Sequence, residues 1–262
     1  IAQAQLMETA ILNIINHQSL IAAKAARICY AAKGDGVMEF GLRRAQGPDA
    51  GTYGARAAVI AGCVGTSNVL CGELFDVPVK GTHAHSWIMS FPDELTAFKT
   101  YGELYPNACI LLADTYDTLK SGVPNAIKAF NEVLKPMGIT KCGIRLDSGD
   151  MAYLSRKARK MLDDAGWTEC KISVSNSLDE YIIEDLLHQG AQIDMFGVGE
   201  RLITARSEPV FGGVYKLVGI EEPDGTVVPK IKISENVGKI TTPHFKKFYR
   251  FFGNDTGKAI AD

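Results

Sequence analysis

The sequence lacks a strong excess of charge, because 28 basic residues are balanced by 30 acidic ones and the formal net charge is −2. A nucleic-acid-binding surface needs concentrated positive charge, so this balance argues against a nucleic-acid partner. No apolar run approaches the ~18 residues that cross a bilayer, which argues against a membrane partner. Low-complexity segments and residue-level repeats are also missing.

Cysteine pairs with metal-binding spacing are missing as well. The six cysteines are scattered singly, and none belongs to a C-x-x-C motif. Cys109 and Cys142 lie inside apolar segments, where thiols are usually buried and reduced. This pattern argues against a structural zinc site and indicates free thiols in a reducing compartment, so we expect a cytoplasmic protein.

The sequence does contain short apolar segments that recur at regular intervals and are separated by helical patterns. Six segments are typical of strands: 37–42, 77–82, 108–114, 142–147, 171–176 and 192–199. Alternation of strands and helices predicts an α/β fold with a parallel sheet, closed into a barrel. Active sites of such barrels form where the strands end, so side chains at those ends are the candidate functional residues.

A change of pattern near residue 212 predicts a second domain. Residues 213–220 and 227–233 alternate apolar and polar positions around a Pro-Asp-Gly sequence, which is typical of a β-hairpin. We therefore predict a barrel domain over residues 1–212 and part of a β-rich domain over 213–262. The long helical pattern over 1–32 precedes the first strand, and we expect an N-terminal domain before it.

Two histidines follow the predicted strand 77–82. His83 and His85 would point to the same side of an extended chain. One hypothesis is a metal-binding pair. A second is that one imidazole acts as nucleophile or general base while the other is structural. Two buried, hydrogen-bonded histidines without a chemical role are a third alternative.

Charged residues emerge from two further predicted strands. Arg145 and Asp147 share one face of a strand, and Asp114 follows the most apolar strand of the chain. Such carboxylates can accept bonds from sugar hydroxyls or hold a metal-bound water. The simpler alternative for the first two is an Arg–Asp pair followed by a helix cap.

The first and last predicted barrel strands carry an aromatic ring, a guanidinium and a glycine pair. Phe40 could stack on a planar ring, and Arg43 could bind a carboxylate or phosphate. Gly197 and Gly199 let the backbone approach a phosphate, although a plain turn explains them equally well. Together, the candidate residues at the strand ends are suited to binding a phosphorylated sugar that reacts with a flat heterocycle.

Eight motifs, in order along the chain, resemble those of the nicotinate phosphoribosyltransferases, a family of the type II phosphoribosyltransferase class. They are EFGLRRAQGPD (39–49), GTSNVL (65–70), GTHAHSW (81–87), LLADTYD (111–117), RLDSGD (145–150), SNSLDE (175–180), IDMFGVGERLIT (193–204) and PVFGGVYKLV (209–218). The matches cover most of the sequence. Because family members are much longer, the resemblance implies an internal piece that lacks an N-terminal domain and a C-terminal stretch.

The resemblance implies an irregular barrel enzyme that forms nicotinate mononucleotide and pyrophosphate from nicotinate and phosphoribosyl pyrophosphate, in NAD biosynthesis. It further implies coupled hydrolysis of ATP, a Mg²⁺ cofactor and a homodimer. His85 matches the histidine that family members phosphorylate, whereas His83 falls at a variable position. Phe40 and Arg43 match the residues that stack on and orient the pyridine ring.

The remaining site residues follow from the same resemblance. Asp114, Arg145 and Asp147 match residues around the phosphoribosyl group, and Gly197 and Gly199 match the loop that holds the 5′-phosphate of the product. Nicotinamide-using relatives carry an aspartate where this sequence has Ser67. An aspartate would repel the carboxylate of nicotinate, so Ser67 favours the acid as substrate.

Three alternatives stay open. One is a nicotinamide- or quinolinate-using phosphoribosyltransferase. Another is a metal-dependent barrel hydrolase with His83, His85 and Asp114 as ligands, although it leaves Phe40 and Arg43 unexplained. The third is a non-catalytic fragment that binds phosphate compounds.

Overall fold

The computed structural model describes residues 2–261, which separate into two compact units. The larger unit is Asn13–Phe211, and the smaller one combines the residues up to Leu12 with those from Gly212 onward. A compact unit is not by itself a domain, so the predicted domain boundary at residue 212 stays a prediction.

Helices and strands alternate through the larger unit, and the first helix begins before it, within the residues up to Leu12. The α-helices are α1 (Ala2–Ala31), α2 (Pro48–Ile60), α3 (Val69–Phe75), α4 (His85–Met89), α5 (Glu94–Leu104), α6 (Val123–Ala129), α7 (Met151–Asp164), α8 (Glu180–His188) and α9 (Glu200–Ile203). The strands of its sheet are β1 (Gly36–Glu39), β2 (Gly65–Thr66), β3 (Ile110–Leu112), β4 (Gly143–Leu146), β5 (Lys171–Ser175) and β6 (Met195–Val198). Five of the six predicted strands therefore exist, each shorter than its apolar segment.

All six strands are parallel and form one sheet in the order β2-β1-β6-β5-β4-β3. The strand interiors are fully buried, as expected for a parallel sheet covered by helices. Buried strand residues with no exposed surface include Leu111, Ile144, Ile172, Val174 and Phe196. Because the strands are parallel, the residues that follow them collect at one edge of the sheet.

The segment 77–82 closes the sheet into an irregular ring, but not as the strand that the sequence predicts. Val79 makes only an isolated parallel bridge with Thr66, and the Lys80 N–H donates to the Thr66 carbonyl at 2.9 Å. On the other side, the Leu112 N–H donates to His83 Nε2 at 3.2 Å. Pro78 has no N–H for a ladder, so the segment fills a strand position without pairing as one. The predicted irregular α/β barrel is confirmed.

Helix α6 is part of a longer helical stretch. π-helical turns at Thr118–Gly122 and Phe130–Leu134 flank α6, and a 3₁₀ turn follows at Lys135–Met137. A Cβ on Gly122 would lie 1.7 Å from the Ala113 carbonyl oxygen, so only glycine lets this stretch approach the end of β3. Asp117 caps the start of the stretch by accepting from two backbone N–H groups.

Helices α7 and α8 each begin and end at residues that are typical of helix caps. Asp150 and Asp179 cap their N-termini, since each carboxylate accepts a backbone N–H three residues later. Gly166 and Gly190 follow their C-termini with φ of +84° and +72°, the left-handed conformation that is common for glycine after a helix.

The smaller unit contains two antiparallel strand pairs. Strands β7 (Gly219–Glu221) and β8 (Val227–Pro229) form the predicted hairpin, and β9 (Phe251–Phe252) pairs with β10 (Ala259–Ala261). The hairpin strands are shorter than the alternating segments that predict them. Among residues 2–261, α1 is 30 residues long, yet neither it nor another helix is apolar enough over such a length to cross a membrane.

Candidate active site

A cavity of about 610 Å³ lies at the carboxyl ends of the barrel strands. Residues after β1, β2, β4, β5 and β6 line it together with the segment 81–85. Of the nine site residues that the sequence predicts, eight line this cavity: Phe40, Arg43, Ser67, His85, Arg145, Asp147, Gly197 and Gly199. The parallel sheet thus brings side chains from distant positions in the chain to one opening.

The ninth predicted residue, Asp114, lies behind the cavity wall and is only 8% exposed. Its Oδ2 accepts the Asp147 N–H at 3.0 Å and the Ser148 hydroxyl at 2.5 Å. Its Oδ1 is buried and has no hydrogen-bond partner among the described residues. In this geometry Asp114 holds the end of β4 in place.

His85 begins α4, and its imidazole faces the cavity with 39% of the side chain exposed. Nδ1 lies 3.0 Å from Thr115 Oγ1, while Nε2 lies 3.8 Å from Asp147 Oδ2. When Nδ1 donates its proton to Thr115, the lone pair of the neutral ring is on Nε2. The imidazole can therefore take up a proton or an electrophile at Nε2. Ser175 in turn donates to Asp147 Oδ1 at 2.6 Å.

His83 has different surroundings from His85, although both rings border the opening. Its Nε2 accepts the Leu112 N–H, and its Nδ1 lies 3.4 Å from the Ala84 carbonyl. The ring packs edge-on against Tyr101 with 4.6 Å between centroids. Burial lowers the pKa of His83 to about 4, so the ring is neutral near pH 7. Of the alternatives left open by the sequence, the structural role fits His83.

Phe40 and Gly197 pack so closely that the glycine is required. A Cβ on Gly197 would lie 2.7 Å from two carbon atoms of the Phe40 ring. One on Gly199 would lie 3.0 Å from the Phe40 carbonyl oxygen. The glycine pair therefore seats the end of β1 against β6, a packing role that the sequence does not reveal.

Three arginines line the cavity, namely Arg43, Arg44 and Arg145, and Arg44 forms an ion pair with Glu200. Arg43 follows β1 and is exposed, whereas Arg145 on β4 is half buried. Burial lowers the pKa of the Arg145 guanidinium, and the charges of Asp147 and Asp114 oppose that shift. Arg145 Nε is buried without a hydrogen-bond partner among the described residues. A partly buried guanidinium that lines the cavity is suited to binding an anion.

Glu39 supports the site and is not among the sequence-predicted residues. Its fully buried carboxylate accepts the Gly41 N–H through Oε1 and the Thr66 hydroxyl, at 2.6 Å, through Oε2. Burial raises the pKa of Glu39, and these two bonds oppose the rise. By joining the ends of β1 and β2, Glu39 fixes the spacing between Phe40 and Ser67.

Asn176, at the end of a predicted strand, belongs to the site together with Thr115, Ser175 and Ser177, and these last three are residues that sequence reasoning missed. Asn176 and Ser177 line the cavity with φ of +94° and +52°, in the left-handed region that non-glycine residues rarely adopt. Backbone strain of this kind concentrates at functional sites. The sequence did contain a signal for these residues, because all four lie within two of the motifs that carry the family resemblance, LLADTYD (111–117) and SNSLDE (175–180).

The metal-dependent hydrolase alternative does not fit this geometry. In residues 2–261, no group of three or more His, Cys, Asp or Glu side chains is arranged to hold a metal ion. Both ring nitrogens of His83 already face backbone groups, and Asp114 Oδ2 is engaged with β4.

The fold and the cavity place the protein in the class of α/β-barrel proteins whose site lies at the carboxyl edge of a parallel sheet. The model of the nicotinate phosphoribosyltransferase (NAPRTase) family matches residues 36–251. The chain belongs to the nicotinate phosphoribosyltransferase family, and the resemblance carried by its motifs is confirmed.

Individual relatives agree with this assignment. Nicotinate phosphoribosyltransferase of Bacillus subtilis is 53% identical over 264 residues, which cover 100% of this chain and 53% of that protein. The crystal structure of human nicotinic acid phosphoribosyltransferase aligns with 31% identity and a TM-score of 0.67 over 74% of this chain and 50% of its own. The crystal structure of nicotinate-nucleotide pyrophosphorylase from Pyrococcus furiosus aligns with 32% identity and a TM-score of 0.66 over 76% of this chain and 50% of its own.

The chain therefore spans about half the length of the curated relatives it matches.

Proposed function

We propose that the protein is a nicotinate phosphoribosyltransferase of NAD biosynthesis, which forms nicotinate mononucleotide and pyrophosphate from nicotinate and phosphoribosyl pyrophosphate. The observation that carries this proposal is the pairing, in one cavity, of an aromatic and cationic wall with an exposed imidazole. Phe40 and Arg43 form the wall, and His85 presents Nε2 beside Asp147. Family membership supports the same reaction.

Nicotinate would bind at the ends of β1 and β2. The Phe40 ring offers a face for stacking on the pyridine, and Arg43 offers a guanidinium for its carboxylate. Ser67, which lines the cavity with a neutral side chain, avoids repelling that carboxylate. The acid, rather than its amide, is the substrate that these three residues favour.

Phosphoribosyl pyrophosphate would bind at the ends of β4 and β6. Arg145 supplies a partly desolvated cation for phosphate oxygens, and Asp147 supplies carboxylate oxygens for the ribose hydroxyls. The backbone at Gly199 could hold the 5′-phosphate. The pyridine nitrogen lone pair then forms the new bond to the anomeric carbon, while the bond to pyrophosphate breaks and its electrons leave with that group. Alignment of ring and sugar is the main contribution of the protein.

ATP would act as a co-substrate through His85. Nε2 attacks the γ-phosphorus of ATP, a nitrogen–phosphorus bond forms, and ADP leaves with the electrons of the broken phosphorus–oxygen bond. Water later cleaves the phosphohistidine and restores the imidazole. Thr115 supports this role, because its bond to Nδ1 orients Nε2 towards the cavity. The phosphoryl charge beside the site would couple ATP turnover to substrate binding.

The carboxylates of the site fit a Mg²⁺ cofactor. Mg²⁺ is commonly held by one or two carboxylates together with substrate phosphates. Asp147 faces the cavity, whereas Asp114 lies behind its wall, so Asp147 is the carboxylate that would hold the ion together with substrate phosphates. When bound, Mg²⁺ would neutralise charge on the departing pyrophosphate.

We also propose a cytoplasmic location, which the six free cysteines support. The homodimer is a further proposal, and it rests on the family resemblance alone.

Product analysis with competing rings tests the proposed reaction. The purified protein is incubated with phosphoribosyl pyrophosphate and Mg²⁺, with labelled nicotinate, nicotinamide or quinolinate, and with or without ATP. We expect nicotinate mononucleotide to form and ATP to increase its yield. Product from nicotinamide or quinolinate in preference to nicotinate would overturn the substrate assignment, and no product from any ring would overturn the activity.

A further inference from the structure

Two cysteine side chains touch on the outside of the barrel, away from the proposed active site. Cys29 on α1 and Cys63, just after α2, have their Sγ atoms 4.0 Å apart. Both thiols are free. A disulfide needs a sulfur–sulfur distance of about 2 Å, which side-chain rotation can supply when two cysteines already lie in contact.

The backbone around Cys63 keeps the two thiols together. The Cys63 N–H donates to the Ala58 carbonyl at 3.0 Å, and Gly62 makes the turn with a φ of +119°. A Cβ on Gly62 would lie 3.6 Å from Cys29 Cβ, so this turn lies directly against α1. The pair is therefore preformed by the packing of two helices.

Only one of these two cysteines is partly exposed. Cys29 is partly exposed and lines a cavity of about 910 Å³ whose other walls include Arg27, Tyr30, Lys33 and Tyr181. A cavity of this size can admit a small organic molecule. Cys63, in contrast, is buried and does not line that cavity.

The thiols also differ in acidity. The hydrogen bond from Cys63 lowers the pKa of Cys29, although burial opposes the shift. The same bond and burial raise the pKa of Cys63. Since a thiolate is the attacking species, the exposed Cys29 is the better first nucleophile.

We propose that Cys29 and Cys63 form a reversible disulfide by exchange with a low-molecular-weight disulfide. Cys29 loses its proton and attacks one sulfur of the small disulfide, which forms a mixed disulfide and releases one small thiol. Cys63 then loses its proton and attacks the Cys29 sulfur, which releases the second small thiol. Two protein thiols are oxidised, and one small disulfide is reduced to two thiols.

A second cysteine pair supplies an internal control. Cys142 and Cys170 interact as neighbouring thiols, but they are only 7% and 1% exposed. Neither lines the cavity beside α1. If the proximity of two thiols were sufficient, Cys142 and Cys170 would form a disulfide as readily as Cys29 and Cys63. The structure instead assigns the reaction to Cys29 and Cys63, because that pair combines proximity with access.

The test is to expose the folded protein to oxidised glutathione, block free thiols with an alkylating agent and map the peptides by mass spectrometry without reduction. We expect a bridge between the Cys29 and Cys63 peptides that dithiothreitol removes. Cys63→Ser should stop at a glutathione adduct on Cys29, and Cys29→Ser should leave Cys63 unmodified. Cys142→Ser should form the bridge as the wild type does.

Three results would overturn the proposal. One is a glutathione adduct that persists on Cys29 in the wild type. Another is a bridge between Cys142 and Cys170 that forms as fast as the proposed one. The third is full alkylation of Cys29 and Cys63 in folded protein that has been exposed to the oxidant.

Discussion

His85 Nε2 lies 3.8 Å from Asp147 Oδ2, although the two residues follow different barrel elements. Thr115 fixes the other ring nitrogen, and Ser175 fixes the other carboxylate oxygen. The imidazole and the carboxylate are thus each oriented by a hydroxyl group. This arrangement joins the proposed phosphoryl acceptor to the proposed ribose-binding residue, so a change at one is expected to affect the other.

Asp114→Asn tests whether Asp114 acts by positioning β4. The amide keeps the size of the side chain but weakens its hold on Ser148 and the Asp147 N–H. We expect kcat/KM for phosphoribosyl pyrophosphate to fall on the order of 10-fold while nicotinate KM changes little. Asp117→Asn is the matched control, since Asp117 caps an exposed helical turn in the same motif. Equal losses in both variants would contradict the positioning role.

Ser67→Asp tests the choice between the acid and the amide. A carboxylate at this position would repel nicotinate and accept a bond from an amide. The ratio of kcat/KM for nicotinate to that for nicotinamide is expected to fall about 100-fold, because like charges placed together at a binding contact are costly. Ser67→Asn has the same size without the charge and should change the ratio far less. An equal fall of this ratio in Ser67→Asp and Ser67→Asn would contradict selection of the substrate by charge.

Gly197→Ala tests the contact between Gly197 and Phe40. The new Cβ would lie 2.7 Å from the ring and would force it to move. We expect nicotinate KM to rise on the order of 10-fold, because a misplaced ring loses stacking area. Gly212→Ala is the control, since a Cβ there meets nothing within 4 Å. An unchanged KM in Gly197→Ala would mean that the Phe40 ring does not contact nicotinate.

His83 is expected to make stability depend on pH. Burial lowers its pKa from 6.5 to about 4, so the unfolded chain takes up a proton at higher pH than the folded protein. Stability is therefore complete above pH 6.5 and is lost as the pH falls towards 4, by about 3 kcal/mol.

Urea unfolding of the wild type and His83→Gln across this pH range measures the effect. Glutamine can still accept the Leu112 N–H but does not titrate in this range. The difference between the two unfolding free energies should shrink or reverse as the pH falls. A difference that is constant with pH would show that folding does not shift the pKa of His83.

The sequence predicted the barrel because burial of a parallel sheet leaves a simple pattern of apolar segments between helices. It missed the closure at 77–82, where the His83 side chain replaces a strand pairing. Hydrogen bonds between a side chain and a distant backbone group leave no periodicity to detect.

The sequence pointed to motif residues that line the cavity, such as Arg43 and His85, and their roles stay predictions. It could not show that Asp114 lies behind the wall, nor that Glu39 joins β1 to β2, because burial depends on how strands pack. The left-handed backbone at Asn176 was equally hidden, since tertiary contacts impose it.

Phosphorylation of His85 is the most direct test of the central claim that the cavity couples ATP to formation of nicotinate mononucleotide. The protein is incubated with γ-labelled ATP and then digested, and the acid-labile label is located by peptide mapping. We predict label on His85, lost when nicotinate and phosphoribosyl pyrophosphate are added, and absent from His85→Asn while His83→Gln retains it. Label on another residue, or label on His85 that the two substrates do not discharge, would contradict the account.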